Sequence, residues 1–140
     1  MSDVVNHLRL TYEGALKMIR AAADRAKEIG VPMCIAVVDD GGNLLAFLRM
    51  DGGKLLSIDS SINKAITGAS GRVPSGNVPA DVEFKLAHVT GGKLTNLKAG
   101  LPIYVDGIVV GGIGVGSGTG DQDLEVAKAG IAAIGARFEP

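Results

Sequence analysis

Leu101-Pro102-Ile103-Tyr104-Val105-Asp106-Gly107-Ile108-Val109-Val110-Gly111-Gly112-Ile113-Gly114 decides the architecture. Two apolar, β-branched runs, Pro102–Val105 and Ile108–Gly114, flank Asp106-Gly107, a two-residue turn whose members both tolerate positive φ. Such a stretch is a β-hairpin, and a chain containing it packs antiparallel strands rather than repeated parallel units. Immediately downstream, Gly114-Val115-Gly116-Ser117-Gly118-Thr119-Gly120 leads into a closing helix with Leu124, Ala127, Ile131, Ile134 and Phe138 on one face.

Upstream, a second hairpin reads from Cys34–Val38 and Leu44–Leu48, joined by Asp39-Asp40-Gly41-Gly42-Asn43. Before it, Thr11 caps a helix with Ala15, Met18, Ile19, Ala22, Ala26 and Ile29 inward, which Gly30 and Pro32 stop. After Gly53, the pattern returns to helical period. Leu55, Ile58, Ile62, Ala65, Ile66 and Ala69 form an apolar face, Ser57, Ser60, Ser61, Lys64 and Thr67 an opposite polar stripe, and Gly71 and Pro74 end the helix. A short helix fits Ala80–His88, and Val89–Gly100 shows neither period. The order is α-β-β-α-(α)-β-β-α, a single α/β domain of the α+β type over residues 1–140.

Composition narrows the function. Fourteen Lys+Arg against 15 Asp+Glu leave a net charge of −1, so no long-range field selects nucleic acid or an anionic membrane surface. Glycine is abundant, 21 of 140 residues and about twice its ordinary share, but it sits beside Ile and Val, and the mean hydropathy is +0.29. Close backbone approach therefore matters more than aromatic bulk. One cysteine, Cys34, forms neither an internal disulfide nor a thiolate cage. The N-terminus shows no basic-then-apolar leader, and the longest apolar-plus-glycine run, 107–116, is well short of the roughly 20 residues that span a bilayer. Cytoplasm is the expected location.

Neither nucleotide-binding glycine fingerprint can be placed on the run at 114–120. Those glycines are either a turn with close strand packing or an amide-lined ligand wall. His7 and His88 have no second ligand at metal-binding spacing, so no metal site is expected. A single axial contact to haem iron requires only one donor, which leaves His7, His88, Cys34 and Met50 eligible. No G-x-S-x-G elbow is present, and Cys34 lies in an apolar strand. Arg49-Met50-Asp51 at a strand end, followed by Ser57, Ser61 and Lys64, suits a small carboxylate or a porphyrin propionate. Against that stands an ordinary surface pair and a solvated helix face.

Ile35-Ala36-Val37-Val38-Asp39-Asp40-Gly41-Gly42-Asn43-Leu44-Leu45-Ala46, Arg49-Met50-Asp51-Gly52, Lys64-Ala65, Gly100-Leu101-Pro102-Ile103, Asp106-Gly107, Val110-Gly111-Gly112-Ile113-Gly114-Val115 and Gln122-Asp123 together resemble the GlcG/HbpS family. The resemblance implies a profilin-like fold with a mainly antiparallel five-stranded sheet flanked by helices, assembly into a ring-like homo-oligomer, haem as a cofactor of some members, and a place in small-molecule catabolism. The chain departs from the pattern at Gly116-Ser117-Gly118, at Asp123-Leu124 and around Lys85–Gly92.

Two functions compete on this reading. One is an oligomeric binding protein for haem or another anionic ligand, with contacts from Asp39, Arg49, Met50, Asp51, Ser57, Ser61, Lys64, Gly114, Gly116 and Ser117 and a cofactor contact from His88. The other is a cofactor-independent isomerase or lyase acting on a small hydroxy- or oxo-acid, with Lys64 and Asp123 moving the proton. A subunit with a purely structural, oligomer-forming role is the third. All ligand readings require the cations after the second strand and the amides before the last helix to face one hollow.

Overall fold

The computed structural model describes residues 2–140. Helix α1 spans Tyr12–Ile29, followed by strands β1 (Cys34–Asp39) and β2 (Leu44–Arg49), helices α2 (Ser57–Gly71) and α3 (Ala80–Val89), strands β3 (Gly100–Val105) and β4 (Ile108–Gly116), and helix α4 (Gly120–Ala133). The ambiguous stretch after α3 is irregular, and Ile134 and Phe138 lie beyond the end of α4.

The strands form one sheet in the order β2-β1-β4-β3, with every neighbour pair antiparallel. Each hairpin supplies one half, and β1 pairs with β4 at the centre, where Ala36 faces Gly114. Asp106 and Gly107 adopt φ values of 52° and 75°, as the β3–β4 turn requires. The sheet has four strands, not five. At the outer edge of β3, a single bridge occupies the fifth place: Tyr104 N–H donates to Arg137 O at 2.6 Å, and Arg137 N–H donates to Tyr104 O at 3.0 Å. Two hydrogen bonds satisfy the exposed edge locally without a ladder.

One sheet face carries Ile35, Val37, Leu101, Ile103, Ile113 and Val115 against the buried stripe of α1 and against Val126, Ala127 and Ile131 of α4. Thr11 Oγ1 caps α1 by accepting from Gly14 N–H at 3.0 Å, and Gly30 ends it at φ 75°.

The opposite sheet face is covered by α2, and here the expected orientation of the helix is corrected. Its buried residues are Ser57, Ser61, Lys64, Ala65, Gly68 and Ala69, whereas Ile58, Ile62 and Ile66 are half-buried at the flank and Leu55 is exposed. The cause is a glycine floor. A Cβ added at Gly114 would lie 2.0 Å from Ser61 O, one at Gly112 2.1 Å from Ala65 O, and one at Gly100 2.0 Å from Lys64 O. The helix backbone rests almost directly on the strands, so small residues must face inward and isoleucines are displaced to the side. None of these three glycines has positive φ; closeness is what they supply.

Candidate functional site

Where β4 ends and α4 begins, the chain turns through Ser117 and Gly118, and the N-terminal half of α2 lies over the turn. Thr119 caps α4 reciprocally: its Oγ1 accepts from Gln122 N–H at 3.2 Å, and Gln122 Oε1 accepts from Thr119 N–H at 2.9 Å. Asp123, one residue further, points back beneath the turn. Its Oδ1 accepts from Gly118 N–H at 2.9 Å, and its Oδ2 accepts from Lys64 Nζ at 3.1 Å. Lys64 Nζ also donates to Val115 O at 2.7 Å. Both side chains are almost fully buried, 6% and 3% exposed. The pair thereby locks α2, the end of β4 and the start of α4 together.

Above this pair opens a cleft of about 520 Å³ lined by Lys54, Ser57, Ser60, Lys64, Gly76, Asn96, Leu97, Lys98, Ser117, Gly118, Gly120 and Asp123. Ser117 adopts φ 96°, a strained value for a residue with a Cβ, and its Oγ accepts from Lys54 N–H at 2.8 Å. Lys98 reaches the exposed Asp121 at 3.2 Å. Lys54, Lys64 and Lys98 line the cleft at the positive end of α4; Lys64 is paired with Asp123 and Lys98 with Asp121, which leaves Lys54 as the lining ammonium without a carboxylate partner among the described residues. Such a cleft suits a small anion.

The sequence-derived candidates divide. Ser57, Lys64, Ser117 and Asp123 meet at the cleft. Ser61 is fully buried, with its Oγ donating to Ile58 O at 3.1 Å. Gly114 and Gly116 form part of the floor under α2. Asp39 holds the β1–β2 turn, its Oδ1 accepting from Gly41 N–H and Asn43 N–H, both at 2.9 Å. Arg49 and Asp51 are exposed and Met50 is half-buried against the α1–α4 core; none of the three lines the cleft. The shared hollow therefore forms around Lys64 and the 117–118 turn without Arg49. Lys54, Ser60 and Lys98 are additions. Lys54 directly follows the Gly52-Gly53 turn, and Ser60 belongs to the polar stripe, so both carried a sequence signal. Lys98, in the stretch without periodicity, carried none.

Cys34 lies beneath the Lys54–Ser117 contact, its Sγ donating to Lys54 O at 3.6 Å. Burial pushes its thiol pKa up, which a hydrogen bond with Ser117 and the charge of Arg49 partly oppose.

Residues 10–132 match the family model described as haem-degrading protein HbpS-like. The chain belongs to the HbpS-like family. Within it, this chain is 39% identical over 107 residues to protein GlcG of Escherichia coli K12, covering 76% of this chain and 80% of GlcG. A double mutant of HbpS from Streptomyces reticuli superposes with a TM-score of 0.85 at 34% identity, over 96% of this chain and 93% of that one. The crystal structure of a PduOC–haem complex superposes with a TM-score of 0.87 at 27% identity, over 95% and 100% of the respective chains. Among the described residues, no helix is long and apolar enough to cross a membrane.

Haem needs flat apolar walls and an axial donor. The cleft has ammonium groups for a propionate but no lining His, Met, Cys or Tyr. A second hollow of about 590 Å³, walled by Ile66, Val73, Pro74, Val78, Val89 and Leu94 among others, is more apolar and likewise has no such donor. His88 is exposed on α3, its ring stacked on Phe84 at 6.2 Å, and lines neither hollow. Within one chain, then, the cleft fits a carboxylate, and neither of these two hollows offers the haem ring an axial donor.

Proposed function

We propose that this chain is a binding protein for a small carboxylate-bearing ligand, held in the cleft by Lys54, Lys98 and the hydroxyls of Ser57, Ser60 and Ser117. The observation that carries the reading is the convergence on one opening of Lys54, which has no carboxylate partner among the described residues, three serine hydroxyls and the N-terminus of α4. Lys64 and Asp123 are satisfied by each other, by Val115 O and by Gly118 N–H. A closed pair positions the walls; a proton carrier must reach its substrate. This closure favours binding over the isomerase or lyase reading.

The test is a thermal-shift and calorimetric screen of small mono- and dicarboxylic acids. A ligand at a hundred times its Kd adds about 2.7 kcal/mol of stability, which is several degrees in Tm. The stabilisation should weaken with salt and disappear in a Lys54→Ala/Lys98→Ala double variant. Absence of any shift by acids at about 10 mM rejects the reading for ligands of useful affinity.

A haem reading is supported by the family and by the PduOC–haem complex. On this chain it places the axial contact on His88, outside the cleft, with the second wall supplied by another copy. Hemin titration should then give a saturable Soret shift that His88→Ala abolishes; a spectrum indistinguishable from free hemin removes it. The assembled state is a homo-oligomer on this proposal, checked by light scattering.

A further inference from the structure

The stripe along α2 runs further than the cleft. Ser57, Ser60 and Lys64 line the cleft, and Thr67 and Gly71, the next positions at the same three- and four-residue spacing, line the second hollow of about 590 Å³. One face of α2 is therefore the floor of both, about 20 Å long from Ser57 to Gly71 at about 1.5 Å per residue. Gly76 is a wall of both hollows. Residues 93–98 pass alongside both, with Lys93 and Leu94 bordering the second hollow and Asn96, Leu97 and Lys98 the cleft. At the junction, a Cβ on Gly76 would lie 3.4 Å from Lys98 Cγ, and one on Gly120 would lie 3.2 Å from Lys98 Cδ. The methylenes of Lys98 thus form an apolar sill between two residues without side chains.

The two ends differ in chemistry. The cleft offers Lys54 and serine hydroxyls. In the second hollow the polar side chains are turned to the chain's own backbone. Thr67 Oγ1 donates to Asn63 O at 2.7 Å, Ser75 Oγ to Leu97 O at 2.6 Å, Asn77 Nδ2 to Pro74 O at 3.1 Å and Thr90 Oγ1 to Leu86 O at 2.8 Å. What remains for a ligand is branched aliphatic surface from Ile66, Val73, Val78, Val89 and Leu94, with no aromatic ring among the lining residues. Walls without a ring to stack on suit a hydrocarbon chain rather than a flat aromatic. Val73 is 55% and Val89 75% exposed, which is apolar surface that such a chain would cover.

We infer that the two hollows are one binding site for a straight-chain aliphatic monocarboxylate, with its carboxylate at Lys54 and the cleft hydroxyls and its tail crossing the Gly76–Lys98 sill into the second hollow. From Ser60 to Ser70 the floor measures about 15 Å, the reach of an extended chain of about twelve carbons at bonds of about 1.5 Å. The inference rests on the carboxylate-binding reading of the cleft and adds the class of ligand.

The experiment is calorimetric titration of the full chain with butyrate, octanoate and dodecanoate below their micelle concentrations, on wild type, Lys54→Ala and Val73→Asp/Val89→Asp. Both valines are exposed, so circular dichroism should show the double variant folded. A buried methylene is worth about fourfold in affinity, so dodecanoate should bind wild type at least tenfold more tightly than octanoate. Lys54→Ala should weaken every acid, and the valine variant should collapse the gain with chain length. Amide shifts of the wild type give a second readout: butyrate should move residues 117–120, and dodecanoate should also move residues 66–78 and 89–94. Acids that bind equally at all lengths, or a gain with length that survives the valine variant and moves no amide of the second hollow, overturn the tail site and leave the cleft reading standing. Binding of long acids that ignores Lys54→Ala overturns the single site, because the head then lies elsewhere. Failure of all three acids to bind overturns the cleft reading and this inference together.

Discussion

Replacing Gly114 by alanine probes the contact on which both the fold and the cleft depend. The new Cβ would stand 2.0 Å from Ser61 O and 2.5 Å from Ala65 N, both backbone atoms of α2. To reach an ordinary 3.4 Å, helix and strand must separate by about 1.4 Å, because no rotamer change moves a backbone carbonyl. Overpacking relieved by flexible side chains costs about 1–3 kcal/mol, and a backbone obstacle places Gly114→Ala at about 3 kcal/mol or more. For a chain of this length that is about 10 °C in Tm. The same displacement lifts Lys64 away from Val115 O and Asp123, now 2.7 and 3.1 Å from its Nζ. Gly71→Ala is the control. It lies in the last turn of the same helix, its added Cβ would meet only Val73 Cγ2 at 3.8 Å, and helix propensity makes it neutral or stabilising by about 0.5 kcal/mol. Differential scanning calorimetry of both variants decides the matter. If Gly114→Ala melts within about 2 °C of wild type, α2 does not rest on a glycine floor and the account of its small-residue face is wrong.

Lys64→Met should cost about 3 kcal/mol in urea unfolding by leaving the Asp123 carboxylate buried and unpaired, and Lys64→Met/Asp123→Asn should recover much of that; equal losses would show that the two are not coupled. Because burial raises the Cys34 pKa, the native thiol should alkylate far more slowly than the urea-unfolded one. The unfolded chain then sheds this proton first, so stability falls as pH rises from the ordinary thiol value of about 9 towards the raised folded value. Cys34→Ala should flatten that alkaline slope in urea midpoints taken at about pH 8 and about pH 10. Thr119→Ala removes half of the capping box of α4 and should cost about 1 kcal/mol, read as about 3 °C in Tm. A carboxylate ligand should also bind that variant more weakly, since the Gly118–Gly120 wall loses its anchor.

The Lys64–Asp123 pair joins residues far apart in the chain, across one helix and two strands, and no local pattern announces it. The exposed Arg49, by contrast, carried the stronger sequence signal as a guanidinium beside an aspartate at a strand end. What separates them is that α2 sits low on Gly112 and Gly114, so a lysine from its inner side can reach the end of β4. The polar stripe of α2 was visible as a pattern, but its depth was not: Ser61 and Lys64 are buried because the floor beneath them has no side chains, while Ser57 and Ser60 line the cleft. Helical period records which residues share a face. It does not record which face a neighbouring strand accepts.

Sequence alone settled the elements whose causes are local: the Asp106-Gly107 hairpin through backbone conformations cheap for those residues, α1 through its apolar spacing and caps, and the antiparallel architecture that two hairpins impose. Tertiary structure alone decided the orientation of α2, the edge bridge at Tyr104 and Arg137, and the meeting of Lys54, Lys64, Lys98 and Asp123 at one cleft. These depend on how closely two backbones approach across the sheet. That distance is set jointly by segments up to about eighty residues apart, and no single window of sequence contains it.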